Sequence, residues 1–192
     1  MIDLIDTTLG NRDYLNGGQL LHALPVAPGF NRVRVRFRKL TTHPGFWSTE
    51  PDERLEETCR ATLMGEGVTR TFYFLTKPDI PLMRGAGEPL CHVKVASLIR
   101  GPFVPERSEA DFEGAVWTST ILLSKMIGPP PDSGATWLPV FVEGGSALLS
   151  PTPRSGRILL TYLRERAGVQ CFRIEINGEE LMTFGVVIAR IN

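Results

Sequence analysis

Apolar and basic residues alternate along Arg32-Val33-Arg34-Val35-Arg36-Phe37-Arg38-Lys39-Leu40, and that period of two predicts a β-strand. Successive side chains on a strand point to opposite faces, so Val33, Val35 and Phe37 share one face and Arg32, Arg34, Arg36 and Arg38 the other. Four guanidiniums at a spacing of about 7 Å repel one another. They call for a neighbouring carboxylate, a bound anion, a partner surface or open solvent. The acid-rich run Glu106–Glu113 is one candidate for that partner.

Further strand patterns follow. In Val68–Thr76, Phe72 and Phe74 fall on one face and Tyr73 on the other. Leu90–Arg100 places Cys91, Val93, Val95 and Ile99 together, and Ala115–Ile127 is a third apolar run. Ala135–Glu143 is a fourth, where Pro139 predicts an edge strand or a bulge because proline cannot donate to the ladder. The C-terminus reads as a meander. Arg157–Arg166 is taken as a strand, and Phe172, Ile174 and Ile176 then alternate with Arg173 and Glu175. Asn177-Gly178 supplies the positive φ angles of a tight hairpin turn. Leu181–Ile191 is apolar on both faces, which predicts a central strand.

A helix is predicted over about residues 51–64. Ser48 or Thr49 can cap it and Pro51 suits its first turn. Asp52, Glu53, Glu56 and Glu57 favour its positive end, and Leu55, Cys59 and Leu63 make an apolar stripe before Gly65 ends it. A shorter helical piece at Gln19–Leu24 is stopped by Pro25 and Pro28. Residues 77–89, 101–114 and 128–134 read as long loops. The expected fold is α+β, mainly antiparallel β: a barrel or two-sheet sandwich of about 7–9 strands with one clear surface helix at about 51–64. A single domain over residues 1–192 is expected, with 1–30 a loosely packed N-terminal arm.

Charge narrows the function classes. Lys+Arg and Asp+Glu are both 21, and the halves are balanced: 12 basic and 11 acidic residues in 1–96, 9 and 10 in 97–192. With no basic domain to neutralise phosphates, general nucleic-acid binding is not expected. A net charge of zero favours self-association, and the unprotected apolar Leu181–Ile191 segment adds to the expectation of a homo-oligomer, a homodimer first. Acidic residues at the start of the chain and the lack of an apolar run of about 18 residues predict neither a signal peptide nor a membrane span. A cytoplasmic protein is the default expectation. The three cysteines, Cys59, Cys91 and Cys171, are too dispersed for a disulfide framework or a zinc knuckle.

Candidate chemistry is sparse. Arginine forks grip phosphate or carboxylate in a bidentate way, which makes Arg32, Arg34, Arg36 and Arg38 the candidate ligand-binding residues. Cys91 and His92 are neighbours on a strand and cannot share a site. His43 and His92 are the candidate acid–base groups. With His22 they show no metal-ligand spacing, so no metal site is expected, and nothing specifies a cofactor. Arg84–Pro89 has the glycines of a phosphate cradle but no following helix. Phe72-Tyr73-Phe74 lacks the basic and glycine pattern of an RNA-binding sheet and reads as core. Gly-x-Ser-x-Gly is absent. Two functions remain. One is a non-catalytic binding or assembly module recognising a small anionic ligand or partner through the arginine strand. The other is a small enzyme acting on an anionic metabolite, with arginine clamps and a histidine acid–base group.

Overall fold

The computed structural model describes residues 4–8, 13–26, 28–85, 93–95, 107–114, 134–149 and 154–190. The chain divides into two compact units, Met1–Pro89 and Leu90–Asn192. Both are built on antiparallel sheet, with only short helices among the described residues.

In the first unit, β1 (Thr7–Thr8) pairs in parallel with β6 (Met83–Arg84). Between them lie α1 (Gly17–His22), β2 (Phe30–Phe37), β3 (Gly45–Ser48), β4 (Glu56–Gly65) and β5 (Val68–Thr76). The four longer strands form an antiparallel sheet in the order β3-β5-β4-β2. Its apolar face is read off the register. Val35, Ala61 and Phe72 form one row, and Phe37, Cys59, Phe74 and Trp47 the next. Val33 and Val35 are 2% and 0% exposed, as the alternation predicts, whereas Phe37 is only half-buried. Asn16 opens α1 with a capping box, its Oδ1 accepting from the Gly18 amide while the Gln19 side chain accepts from the Asn16 amide. Within 1–30, expected as a loose arm, Leu15, Leu20 and Leu24 are 3%, 1% and 5% exposed. The Trp47 indole donates to the Leu20 carbonyl at 3.0 Å and meets Phe74 edge-on, tying α1 to the sheet.

The helix expected at 51–64 is instead a turn followed by β4. Its two diagnostic residues, Cys59 and Leu63, are four apart, and a separation of four fits both a 3.6-residue and a two-residue period. Ala61 between them decides the matter: Cys59, Ala61 and Leu63 are all 0% exposed, so the period is two. The capping signals are spent locally. Ser48 Oγ accepts from the Glu50 amide, Asp52 Oδ1 from the Arg54 amide, and the Leu55 amide reaches the Asp52 carbonyl. One turn forms, and the strand then begins.

The second unit contains β7 (Val93–Val95), β8 (Arg107–Gly114), β9 (Ala135–Gly145), α2 (Ser146–Leu149), β10 (Arg154–Arg166), β11 (Val169–Ile176) and β12 (Glu179–Arg190). The order is β9-β12-β11-β10-β8-β7, antiparallel throughout. Among the described residues the outermost strands of neither order pair with each other, so the barrel alternative is not what forms. Two-residue turns join β10 to β11 and β11 to β12. Ala167-Gly168 has φ of 51° and 75°, Asn177-Gly178 of 52° and 84°, the positive pair a type I′ hairpin needs. β12 is central, as its two-sided apolar pattern predicts, and being hydrogen-bonded by both β9 and β11 it is not the unprotected edge the homodimer expectation drew on. Pro139 sits at a bulge: it faces Val186 while Phe141 faces Gly185, leaving Val140 over. The segment 101–114, expected as loop, contains β8. Its buried Ala110, 2% exposed, is small and is flanked by the charged Glu109 and Asp111, so its apolar signal is faint. An aromatic cluster centres on Phe172, whose ring meets Tyr162, Trp137 and Phe184 at 5.6, 6.2 and 5.3 Å.

Candidate anion-binding site

β2 presents its cations as the alternation requires. With Val33 and Val35 turned inward, Arg32, Arg34 and Arg36 are exposed, and Arg38 follows the strand end with half its side chain in solvent. Of the acid-rich run, Arg107–Gly114 forms β8. In the second unit Glu109 ion-pairs with Arg157, and Asp111 lies opposite Arg157 on one side and Lys94 on the other.

A carboxylate that engages the arginine face comes from β4. Glu57 accepts two hydrogen bonds from Arg60, Nε to Oε1 at 2.8 Å and Nη2 to Oε2 at 2.9 Å, and its Oε1 lies 3.2 Å from Arg38 Nε. Glu57 and Arg60 are three apart, a spacing that puts side chains on opposite faces of a regular strand. A bulge restores them to one face. Glu57 faces Leu75 and Cys59 faces Phe74, so Thr58 is the extra residue and the phase of the strand slips by one. Arg60 also lies 4.9 Å over the Tyr73 ring. The Glu57 hydrogen bonds raise the Arg60 guanidinium further above its ordinary value, so it stays a cation at any pH of interest.

The histidines are not gathered here. His43 is half-buried in the segment between β2 and β3, its Nδ1 3.2 Å from Thr42 Oγ1. His22 is exposed at the end of α1. His92 and Cys91 lie outside the described residues, as does Ala115–Ile127. Cys59 is fully buried, and burial pushes its thiol well above the ordinary range, which removes it as a nucleophile. Among the described residues no group of His, Cys, Asp and Glu could hold a metal ion, and no helix is long and apolar enough to cross a membrane. Sequence reasoning missed Glu57, Arg60 and Tyr73 as neighbours of the arginine strand, because the first two were assigned to a helix. The alternation Cys59-Ala61-Leu63 was the signal that could have found them.

No family model matches the sequence, and no curated protein does. Among solved structures the chain is similar to a conserved protein of unknown function with a hot dog fold from Alicyclobacillus acidocaldarius. The TM-score is 0.50 at 12% identity, over 95% of this chain and 90% of that one. It is equally similar to the tesB protein of Mycobacterium avium subsp. paratuberculosis, with a TM-score of 0.50 at 10% identity over 97% of this chain and 92% of that one. A putative thioesterase II of Thermobifida fusca aligns over 98% and 93% of the two chains at 13% identity, but its TM-score of 0.45 is too low to count as a likeness. At these identities the similarity is one of fold: an α+β arrangement dominated by antiparallel sheet, of the hot dog kind.

Proposed function

We propose that this chain is a small enzyme of hot dog fold acting on an anionic metabolite, with the β2 arginines as substrate clamps and a histidine, His43 among the described residues, as the acid–base group. The observation that carries the proposal is the presentation of Arg32, Arg34 and Arg36 on an exposed face while Val33 and Val35 anchor the strand from behind. A rigid strand holds forked donors at fixed spacing, which suits a ligand with several anionic groups. An acyl thioester of coenzyme A is the metabolite class we put first, because its phosphates are separated along the molecule and its thioester carbonyl is open to attack by water. The same exposure also favours a second reading, a non-catalytic module that binds an anionic ligand or partner on an open face, since an enzyme's clamp is usually enclosed.

Thiol release from a short-chain acyl-CoA tests the enzyme reading. Replacing Arg34 and Arg36 together with glutamine should raise KM with little change in kcat if the arginines bind ground state and transition state alike. His43→Ala should lower kcat. Inorganic phosphate at low ionic strength should raise the melting temperature by mass action, and the double variant should lose that part of the rise, with a neutral osmolyte as control for surface exclusion. Phosphate-dependent stabilisation without turnover supports the module. Neither turnover nor an arginine-dependent shift overturns both readings.

A further inference from the structure

The cation row of β2 continues onto its neighbours. Arg36 lies directly opposite Arg60 of β4, and Arg60 directly opposite Tyr73 of β5. Like charges placed opposite each other across a ladder repel, yet here the pair is built in. Among the described residues one carboxylate, Glu57, is shared between Arg38 and Arg60. Arg36, Arg38 and Arg60 therefore keep a surplus of positive charge. The geometry at Arg60 is also specific. Its Nε–Nη2 edge is taken by Glu57, whose side chain is only 16% exposed, and its plane is supported by the Tyr73 ring. The Nη1 end is the edge left for a ligand.

We propose that Arg36, Arg60 and Tyr73 form a phosphoryl-binding site, with Glu57 as the positioning residue that fixes Arg60. This rests on the anionic-metabolite reading above and names the group by which such a substrate is held. A phosphoryl dianion matches the charge surplus, where a carboxylate would neutralise only part of it. Its oxygens point in several directions, so they can accept from the Arg36 fork on one strand, Arg60 Nη1 on the next and the Tyr73 hydroxyl beyond. The site takes one residue from each of three adjacent strands, and the sheet registers them without help from a loop.

The test is calorimetric titration of the full chain with inorganic pyrophosphate at low ionic strength. Arg36→Gln and Arg60→Gln should each weaken binding about tenfold or more, the loss expected for a charged hydrogen bond. Tyr73→Phe should weaken it less. Arg70→Gln removes the same charge from the same sheet, at an exposed residue that packs over Phe30, and should change the affinity by no more than about twofold. Glu57→Gln is the decisive variant. It makes the surface more positive, so a diffuse basic patch would bind pyrophosphate more tightly; an oriented site loses the group that aims Arg60 and binds more weakly. Glu57→Asp, which keeps the charge and shortens the arm, should also weaken binding, and thermal melts of each variant confirm that it is folded. Tighter binding by Glu57→Gln, or an equal loss in Arg70→Gln and Arg36→Gln, overturns the site. If pyrophosphate binds as described and no acyl-CoA is turned over, the enzyme reading fails and the phosphoryl site stands. If turnover depends on Arg34 and Arg36 but pyrophosphate does not bind, only the phosphoryl site falls.

Discussion

Phe172→Ala tests the core of the second unit at its centre. The ring is 0% exposed and touches three other aromatic rings. Truncating a fully buried phenylalanine to alanine costs about 3–5 kcal/mol in lost transfer energy and residual cavity. Edge-to-face and stacked partners each add about 0.5–1.5 kcal/mol beyond burial. The three ring contacts overlap with the burial they accompany, so the expected loss lies at the top of the range, about 4–5 kcal/mol. That is a large share of the stability of a domain, about 5–15 kcal/mol in all. Phe37→Ala is the internal comparison: Phe37 is half-buried at the end of β2, and about 1–2 kcal/mol is expected. Both are read by urea unfolding, as the shift in midpoint at unchanged slope. A loss below about 2 kcal/mol for Phe172→Ala, or equal losses for the two variants, would show that the Tyr162–Phe172–Phe184–Trp137 cluster does not organise the core.

Other outcomes follow from single contacts. Gln170 Oε1 is buried with no hydrogen-bond partner among the described residues, so Gln170→Met should be neutral or stabilising by up to about 1 kcal/mol in the same unfolding assay, and a clear loss would show that the oxygen is hydrogen-bonded after all. Hydrogen bonds from the Arg54 side chain hold the Asp52 carboxyl down to about 2, against an ordinary 3.8. Its native-state contribution is therefore present above pH 3.8 and lost as the pH falls through about 2. A carboxyl-carbon NMR titration should show Asp52 ionised at low pH and returned toward its ordinary value in Arg54→Ala; an unchanged titration in the variant would rule out the contact. Cys59, made the single thiol by Cys91→Ser and Cys171→Ser, should react with a disulfide reagent only after unfolding, and prompt labelling of the native chain would contradict its burial. Light scattering should report a species larger than the 21.3 kDa chain if zero net charge drives self-association; a monomer at every concentration would end that expectation.

What was legible in the sequence was whatever one local rule decides. Asn177-Gly178 can scarcely be anything but a hairpin turn, and Val33-Arg34-Val35-Arg36 scarcely anything but a strand with one buried face. The apolar run after Glu180 is central because both its faces need cover. The misread segment failed where two rules agree on the same residues. Cys59 and Leu63 satisfy helix and strand alike, and strong capping residues upstream tipped the choice toward helix although they closed only one turn. Tertiary pairing then settled the question by burying Ala61 between them. β8 was hidden for a different reason: Ala110, buried between Glu109 and Asp111, carries too little apolar surface to mark an inward face. The candidate site was half visible. Its β2 arginines stand out in the pattern, but Arg60, Tyr73 and Glu57 reach them through strand registry, and registry is a property of pairs of segments that no single stretch encodes.

The bulge at Thr58 gives the first unit one residue of slack. If Thr58 were deleted, Cys59 would follow directly on Glu57, which stays opposite Leu75, and the ladder from Glu56 to Gly65 would close as a regular strand with Glu57 still on the arginine face. Length variation at this point is therefore absorbed without disturbing the charged cluster. What a shorter chain would lose lies inside. Thr58 is 1% exposed and its hydroxyl accepts from Thr41, itself 3% exposed, at 2.9 Å. Thr41 in turn anchors the strand-like bridge to Leu15 ahead of α1. Deletion would leave a buried hydroxyl without its partner, at a cost of about 1–3 kcal/mol, and would loosen the N-terminal segment from the sheet while sparing the anion face. The extra residue thus serves the attachment of the chain's beginning, and the phase shift at the bulge keeps Glu57 on the face of Arg60 despite it.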